Sequence, residues 1–362
     1  MNVHSDLASM HPVISEDMSA LVEAASSAVT RLSGTTVLIA GAAGFLPSYI
    51  VDALAYANER SGSQPCRILC VDNFKTGVPE RLSHLEGRAD VSFVRHDITQ
   101  PLTGISPDYI LHGASIASPT WYRKYPLETV DINVIGTRLL LELARGSGTR
   151  GFLYLSSSEI YGDPPPDRVP TTEDYWGHVS SMGPRACYDE SKRLAETLCM
   201  IYFRSFGVPV KIVRPFNVYG PRLRLDDGRV VPDMISDVIA GRQITLYSDG
   251  RATRSFCYVR DAAAAIISLL AADVSGEAFN VGNDEEVSIH RLAEIVDEVS
   301  ENRRGVRVSE SADPEYTTDN PQRRCPDLKK VKRVIGWAPA VPLYAGIDRT
   351  IRYYRDEGHR WM

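Results

Sequence analysis

A phenol and an amine in this sequence are spaced so that they could act together in acid–base chemistry. Tyr188 and Lys192 lie four residues apart in the segment YDESK, so a helix would place both on one face. A nearby ammonium favours the phenolate, and we therefore predict that the pKa of Tyr188 lies far below its ordinary value of about 10. Such a tyrosine can remove the proton of a hydroxyl group while hydride leaves the same carbon.

A second polar cluster lies upstream of this pair. The run Ser156-Ser157-Ser158-Glu159 follows a predicted strand, and doubly wound sheets bind their ligands outside the carboxyl ends of their strands. We expect the hydroxyl of Ser157 to share a substrate proton with Tyr188, while Glu159 brings a carboxylate into the same pocket. A serine-rich turn with a solvated glutamate would explain the run by itself, but not its coincidence with the other motifs.

A glycine-rich turn and an acidic residue after the next strand indicate a dinucleotide cofactor. Gly41 and Gly44 follow a predicted strand and precede a helix, whose N-terminal amides can bind a pyrophosphate. Asp72 ends the following strand, where its carboxylate can accept hydrogen bonds from ribose hydroxyls and repel a 2′-phosphate. The sequence therefore predicts NAD and not NADP, although a structural turn with a solvated aspartate is the alternative. Pro47 replaces a third glycine, which a first helical turn tolerates.

Short β-branched runs that alternate with helical stretches must position these residues. Such alternation is typical of an α/β fold with a doubly wound parallel sheet of the Rossmann type. The predicted strands are residues 35–41, 67–72, 91–97, 108–115, 151–158 and 208–217. After residue 220 the pattern changes to loops, short strands and helices near 288–300 and 343–355, which indicates a smaller C-terminal substrate-binding part.

The chain divides into three predicted parts. They are an N-terminal extension (1–33), an NAD-binding Rossmann domain (34–220) to which later segments return, and a mainly nucleotide-sugar-binding domain (221–362). The extension contains a mildly amphipathic stretch at residues 19–32, which either is disordered or packs as a helix on the domain or on a partner subunit.

Composition and charge exclude several classes of protein. The 362 residues are 43% hydrophobic and carry a net charge of -6, which favours a folded chain and argues against a nucleic-acid partner. The six cysteines show neither metal-ligand spacing nor a disulfide framework, so we expect no metal. The chain has no apolar run suited to export or to a membrane, and we therefore expect a cytoplasmic protein.

The motifs taken together resemble one family from about residue 35 to residue 355. They include GAAGFLP, VDNFKTG, SSSEIYGDP, EDYWGHV, GPRACYDESKRLAE, RPFNVYGPR and TLYSDGRATRSFCYV. The pattern resembles the UDP-glucuronate decarboxylases (UDP-xylose synthases), which are extended short-chain dehydrogenases/reductases. The resemblance implies that bound NAD oxidises UDP-glucuronic acid at C4, so that the C6 carboxylate lies β to a ketone and leaves as CO₂. Protonation at C5 and return of the hydride would give UDP-xylose, unless the UDP-4-keto-pentose is released.

The resemblance also implies roles for individual residues. The catalytic residues would be Ser157, Ser158, Glu159, Tyr188, Lys192 and Arg254. The NAD-binding residues would be Gly41, Gly44, Phe45, Leu46, Asp72, Asn73, Phe74, Thr76, Gly77, Asp97 and Ile98, together with Tyr188 and Lys192. The nucleotide-sugar contacts would be Asn217, Arg229, Leu246, Tyr247, Arg254 and Arg324. Arg254 would face the sugar carboxylate, and the alternative for Arg324 is a surface charge.

Other functions compete with this interpretation. A nucleotide-sugar 4,6-dehydratase uses an adjacent Asp-Glu pair, whereas this chain has Ser158-Glu159. A UDP-glucuronate 4-epimerase keeps the carboxylate and generally has no glutamate here, so Glu159 argues against it. Ser191 stands where the decarboxylases commonly have glycine and matches the wider epimerase pattern, which keeps that alternative open. An NAD-sensing binding protein would typically lose Tyr188 or Lys192.

We also expect a homodimer. The stretch IGTRLLLELA after Val134 has more apolar residues than one buried face requires. In related enzymes this helix and the helix with Tyr188 and Lys192 pair across a dimer as a four-helix bundle.

Overall fold

A parallel sheet of seven strands forms the centre of the computed structural model, which describes residues 10–60, 62, 64–311, 318 and 320–358. The strands of the protein are β1 (Thr36–Ala40), β2 (Arg67–Asp72), β3 (Val91–Arg95), β4 (Tyr109–His112), β5 (Gly151–Leu155), β6 (Val210–Pro215), β7 (Val218–Tyr219), β8 (Ile244–Leu246), β9 (Thr253–Ser255), β10 (Cys257–Tyr258), β11 (Glu277–Val281), β12 (Glu286–Ser288), β13 (Val306–Val308) and β14 (Arg323–Arg324). The order across the large sheet is β3-β2-β1-β4-β5-β6-β11, and all neighbours are parallel. The predicted doubly wound fold and its six strands are confirmed, and β11 adds a seventh strand from beyond residue 220.

Helices cover both faces of this sheet. They are α1 (Pro12–Ala24), α2 (Ser26–Leu32), α3 (Phe45–Arg60), α4 (Pro119–Lys124), α5 (Pro126–Asp131), α6 (Thr137–Ser147), α7 (Ala186–Phe206), α8 (Val230–Ile239), α9 (Val259–Ala271), α10 (Ile289–Ser300), α11 (Lys329–Ile335) and α12 (Leu343–Glu357). A π-helical turn at Ile132–Gly136 joins α5 to α6. The helices predicted near 288–300 and 343–355 are confirmed as α10 and α12. No helix among the described residues is long and apolar enough to cross a membrane.

The core consists of two layers, one on each face of the sheet. Val37 and Ile39 of β1 pack in the layer that contains α3 and α9. Leu38 and Ala40, which point the other way, pack in the layer that contains α6 and α7. Burial on both faces is the reason why the central strands are continuous apolar runs without the alternation of a half-exposed strand.

The N-terminal extension is packed against the rest of the protein where the structure describes it. Helix α1 contacts α3, α9 and α12, and α2 contacts α9. Ile14, Met18 and Leu21 have no exposed surface, so these side chains belong to the core. Of the two interpretations of residues 19–32, packing on the chain itself is therefore confirmed. The helix starts earlier than predicted, at Pro12, and is interrupted at Ala25.

A small sheet outside the large one brings two distant arginines together. Its order is β12-β9-β14, and the parallel pairing of β14 with β9 places Arg324 opposite Arg254. These residues come from segments that are far apart in the sequence. The pairing therefore places two positively charged side chains next to each other, both of them from the part of the chain after residue 220.

Candidate active site

An open cavity lies where β1, β2, β3 and β4 end. This is the carboxyl edge of the sheet, and the strand order reverses between β1 and β4, the position at which such folds bind nucleotides. Gly41 has a φ of 75°, and a Cβ atom on it would lie 2.5 Å from the Cα atom of Ala114. Only glycine therefore lets the turn after β1 lie this close to the segment after β4.

The carboxylate of Asp72 holds the glycine-rich turn in place. One oxygen accepts the Ala43 N–H at 2.9 Å, and the other accepts the Phe74 N–H at 2.7 Å. Burial raises the pKa of Asp72, and the two amide donors oppose that effect. Asp72 also lines the cavity, so its oxygens can accept further hydrogen bonds there. A glycine turn at the start of α3 with a carboxylate beside it fits the pyrophosphate and ribose of a dinucleotide.

Most of the expected cofactor residues line this cavity. Those that do are Gly41, Gly44, Phe45, Asp72, Asn73, Thr76, Gly77 and Ile98. Leu46 and Phe74 do not line it and pack on the core instead. Asp97 is also outside the lining, and its carboxylate accepts hydrogen bonds from Thr99 and from the side chain of Asn73. Asp97 therefore supports a cavity residue from behind.

Tyr188 is buried beside Ser157, behind the lining of the cavity. Its ring stacks on that of Tyr122 with the centroids 5.2 Å apart, and the side chain of Ser157 is close enough to lower its pKa. Burial nevertheless raises the pKa of Tyr188 to about 12, and the interaction with Ser157 only partly offsets this. The prediction of a strongly lowered pKa is therefore wrong for the protein alone. Exclusion of water from the phenolate outweighs the charges around it.

Lys192 lies near this phenol without contacting it. Its Nζ atom is 5.7 Å from the centroid of the Tyr188 ring and donates to the carbonyl of Leu155 at 2.7 Å. Burial lowers the pKa of Lys192 to about 7, although Glu196 opposes the shift. The amine can therefore lose its proton near neutral pH, so that its positive charge is not fixed in the protein alone.

Glu159 is held between two arginines. It lies in the 3₁₀ turn after β5, and both of its oxygens contact the guanidinium of Arg324, one of them at 2.8 Å. Arg185 contacts the same carboxylate. Burial alone would raise the pKa of Glu159, but Arg185 and Arg324 outweigh it and hold the pKa at about 2. The carboxylate is therefore ionised at any physiological pH.

Arg254 adds a third guanidinium close to this carboxylate. It donates to the carbonyl of Pro321 at 2.6 Å and to that of Thr253 at 2.8 Å. These hydrogen bonds are made to groups of the protein itself. Burial and the neighbouring Arg324 lower its pKa to about 9. Three guanidinium groups thus surround the carboxylate of Glu159, while Asp189 lies 3.8 Å from Arg185 and Asp163 acts electrostatically on Arg254. Arg324 is only 4% exposed, so the alternative of a surface charge is wrong for this residue.

The other expected substrate residues differ in whether they line the cavity. Arg229 lines the cavity, is paired with Asp227, and acts electrostatically on both Tyr188 and Glu159. It therefore joins the cofactor cavity to the catalytic cluster. Asn217, Leu246 and Tyr247 do not line the cavity. The amide of Asn217 donates to Ser255, Leu246 is buried, and Tyr247 is 40% exposed.

Sequence reasoning missed Arg185, although it stands in the motif GPRACYDE. Arg185 is the residue before α7 and precedes Tyr188 by three positions, so its spacing alone places it near the catalytic helix. Trp121 and Arg224 were also not anticipated. Both line the cavity, with the guanidinium 5.3 Å from the centroid of the indole ring, and no short motif marks them.

Comparison with known proteins gives this arrangement a family. Residues 37–282 match the NAD dependent epimerase/dehydratase family. The chain is 41% identical over 321 residues to UDP-glucuronic acid decarboxylase 1 of Xenopus tropicalis, covering 89% of this chain and 72% of that protein. It is 42% identical over 311 residues to UDP-glucuronic acid decarboxylase 3 of Arabidopsis thaliana, covering 86% of each.

A solved structure agrees with this result. The UDP-glucuronic acid 4-epimerase of Bacillus cereus, in complex with UDP-glucuronic acid and NAD, is 25% identical with a TM-score of 0.74. The match covers 89% of this chain and 99% of that one. The fold is thus shared with epimerases, whereas the higher identities are to decarboxylases. The chain therefore belongs to the NAD-dependent epimerase/dehydratase family and, within it, to the UDP-glucuronic acid decarboxylases.

Proposed function

We propose that this protein uses NAD to convert UDP-glucuronic acid into CO₂ and UDP-xylose by way of a 4-keto sugar. The observation that carries the proposal is the carboxylate of Glu159, held by Arg185 and Arg324 next to the pair of Ser157 and Tyr188. The identities of 41% and 42% to decarboxylases support the same reaction.

The first half of the reaction is oxidation at C4. NAD supplies the acceptor for the C4 hydride and the donor for its return. Tyr188 takes the proton of the C4 hydroxyl, and Ser157 holds that hydroxyl in place. The positive charge of Arg229 lowers the pKa of Tyr188 and so favours the phenolate. Lys192, with a pKa of about 7, can accept or release the proton that passes through Tyr188.

The second half is loss of the carboxylate. The C5–C6 bond breaks, CO₂ leaves, and the electron pair of that bond enters an enolate with the C4 ketone. Arg185, Arg254 and Arg324 supply positive charge that orients the sugar carboxylate and stabilises the enolate. Glu159 is ionised and therefore cannot donate the proton to C5. Its role is to orient the arginines and to control the charge around the leaving carboxylate.

UDP-glucuronate 4-epimerisation is the second candidate, and Ser191 was the reason to keep it open. The hydroxyl of Ser191 donates to the carbonyl of Cys187 and accepts a hydrogen bond from Asn133 at 2.9 Å. This hydroxyl supports α7 from inside the protein. It therefore gives no specific support to the epimerase.

The test is incubation with UDP-glucuronic acid and NAD in D₂O, with trapping of CO₂ and NMR of the nucleotide sugar. We expect CO₂ and UDP-xylose with deuterium at C5. UDP-4-keto-pentose together with NADH would mean that the sugar is released before the final reduction. UDP-galacturonic acid without CO₂ would support the epimerase.

We further propose a homodimer formed by α6, the helix after Val134, and α7, the helix with Tyr188 and Lys192. Exposed apolar side chains lie on α7 and on the two elements that precede α6, namely α5 and the π-helical turn. They are Leu127 (76% exposed), Ile135 (44%), Leu194 (48%) and Ile201 (47%). A partner that covered them would bury apolar area on both subunits. Light scattering at micromolar concentration should give twice the mass of 40.0 kDa, and a monomer would contradict the proposal.

We also propose a division of labour along the chain and a location. Residues 34–220 bind NAD, and residues 221–362 mainly contribute contacts to the nucleotide sugar. A role in the cytoplasm is supported by the six cysteines, which all lie in described segments and are all free thiols. Unfolding of protein purified without reductant, followed by alkylation, tests this point, since six reactive thiols are expected.

A further inference from the structure

The side chain of Arg81 lies between the cofactor turn and a loop from the C-terminal half of the chain, Arg222–Arg229. It is 3% exposed. Its Nη1 atom donates to the carbonyl of Ala43 at 2.8 Å. Its Nε and Nη2 atoms donate to the carbonyl of Arg222 at 3.1 and 2.7 Å. One guanidinium thus connects two segments that are distant in the sequence.

Both segments face the same cavity. Ala43 lies within the glycine-rich turn, and its N–H donates to Asp72. On the other side, Arg222 begins the loop that carries Arg229. The cavity is lined by Arg81 itself and by Leu223, Arg224, Asp227 and Arg229. Arg81 therefore contacts the backbone on both sides of the cavity, so that a shift of the backbone on one side can be transmitted to the other.

The start of the loop is held in an unusual conformation. Arg222 has a φ of 68°, in the left-handed region that residues other than glycine rarely adopt, so its surroundings must hold it there. Its guanidinium is paired with Asp52 of α3, and the carbonyl of Leu223 accepts a hydrogen bond from Tyr354 of α12. Arg81 is the contact that connects this arrangement to the cofactor turn.

We propose that Arg81 is a positioning residue that couples the cofactor turn to the loop that binds the diphosphate of the nucleotide sugar. The substrate class in this inference rests on the proposed function. A turn ordered by a pyrophosphate would fix Arg81, which would fix the carbonyl of Arg222 and thereby the direction of Arg224 and Arg229. The planar fork of arginine can bind both carbonyls at once, which the single ammonium of lysine does less well.

The charge of Arg81 also suits this role. Burial lowers its pKa to about 10, which still leaves the guanidinium protonated at neutral pH. A buried cation next to the cofactor turn adds to the positive potential that a pyrophosphate meets.

Two variants and one control test the coupling. Arg81→Met removes all the donors, and Arg81→Lys keeps the charge and part of the hydrogen bonding. Arg88→Met is the control, because Arg88 also donates to a backbone carbonyl, that of Ala55 at 3.2 Å, and is paired with Glu59 and Asp90, but does not line the cavity. The measurements are the dissociation constant of NAD, that of UDP at saturating NAD, and the melting temperature.

We expect Arg81→Met to raise both dissociation constants by about tenfold or more, as for the loss of charged hydrogen bonds. Arg81→Lys should lie between Arg81→Met and the wild type. Arg88→Met should lower the melting temperature but change both constants by less than about twofold. An unchanged UDP constant in Arg81→Met, or equal effects of Arg81→Met and Arg88→Met, would overturn the inference. UDP binding needs no turnover, so a protein that binds NAD and UDP but releases no CO₂ would contradict the proposed function alone.

Discussion

The carboxylate of Glu159 and the guanidinium of Arg324 form a two-point ion pair inside the protein. Nη2 of Arg324 lies 2.8 Å from one oxygen, Nη1 contacts the other, and 165 positions separate the two residues in the chain. The pairing of β14 with β9 brings Arg324 to this place. Because the pair lies beside Ser157 and Tyr188, the proposed reaction would take place next to these charges.

Replacement of Arg324 by lysine keeps the charge and removes the two-point contact. We expect CO₂ release by Arg324→Lys to fall by about 10- to 100-fold. The reason is that lysine lacks the second N–H donor with which Arg324 orients the carboxylate of Glu159. The dissociation constant of NAD should stay unchanged. Arg323→Lys is the control, since Arg323 is paired with Glu286 away from this cluster. An equal loss of CO₂ release in both variants would argue against a special role of Arg324.

The charge state of Glu159 determines how the reaction should depend on pH. Burial raises its pKa, but Arg185 and Arg324 lower it further, to about 2 from an ordinary 4.5. The stability that comes from its ionisation is therefore complete above about pH 4.5 and is lost as the pH falls through 2. Between about pH 5 and pH 9 its charge is constant. The Glu159→Gln variant should thus show a lower CO₂ rate without losing a midpoint between pH 5 and pH 9. Because Glu159 raises the pKa of Tyr188, the midpoint due to Tyr188 should move to lower pH, and a shift to higher pH would contradict this.

Asp72 should determine the choice of cofactor. Asp72→Ser removes the charge that opposes a 2′-phosphate, and the single oxygen of serine replaces the two carboxylate oxygens that accept from Ala43 and Phe74. We therefore expect weaker binding of NAD and a smaller preference for NAD over NADP, measured by the two dissociation constants. Asp90→Ser serves as comparison, because Asp90 is paired with Arg88 and does not line the cavity. An unchanged preference in Asp72→Ser would remove this residue from the site.

The N-terminal helix should contribute to the stability of the whole protein. Ile14 of α1 has no exposed surface and packs in the core layer with α3 and α9. Ile14→Ala should therefore lower the free energy of unfolding by about 2 to 5 kcal/mol, measured in urea. Val308→Ala, at a residue that is 61% exposed, should change it by less than about 0.5 kcal/mol. Equal values for the two variants would mean that α1 is not part of the core.

Local sequence patterns were sufficient where one element carries the chemistry. Tyr188 and Lys192 lie on one helix, and Asp72 ends a strand that reads as a continuous apolar run, so spacing alone predicts their positions. The six central strands follow from the same kind of pattern. These features depend on residues that are close in the sequence, and periodicity describes them directly.

Features that depend on the folded chain could not be predicted in this way. The pKa of Tyr188 is raised because the ring is buried, and burial is a property of the packed structure. The contact of Arg324 with Glu159 depends on the pairing of two short strands, β14 and β9, which are far apart in the sequence. The packing of the N-terminal extension could not be predicted for the same reason, because an apolar helix face does not indicate which surface it packs against.

The measurement that tests the central claim most directly is CO₂ release from UDP-glucuronic acid by the wild type beside Tyr188→Phe and Glu159→Gln. The wild type should release CO₂ and form a UDP-pentose, identified by NMR. Tyr188→Phe should lower the rate by about 10² to 10⁴, because the proton acceptor for oxidation at C4 is lost, while NAD and UDP still bind. Glu159→Gln should strongly reduce CO₂ release, because the charge beside the leaving carboxylate is gone. Formation of UDP-galacturonic acid without CO₂ by the wild type would contradict the account and identify the protein as an epimerase.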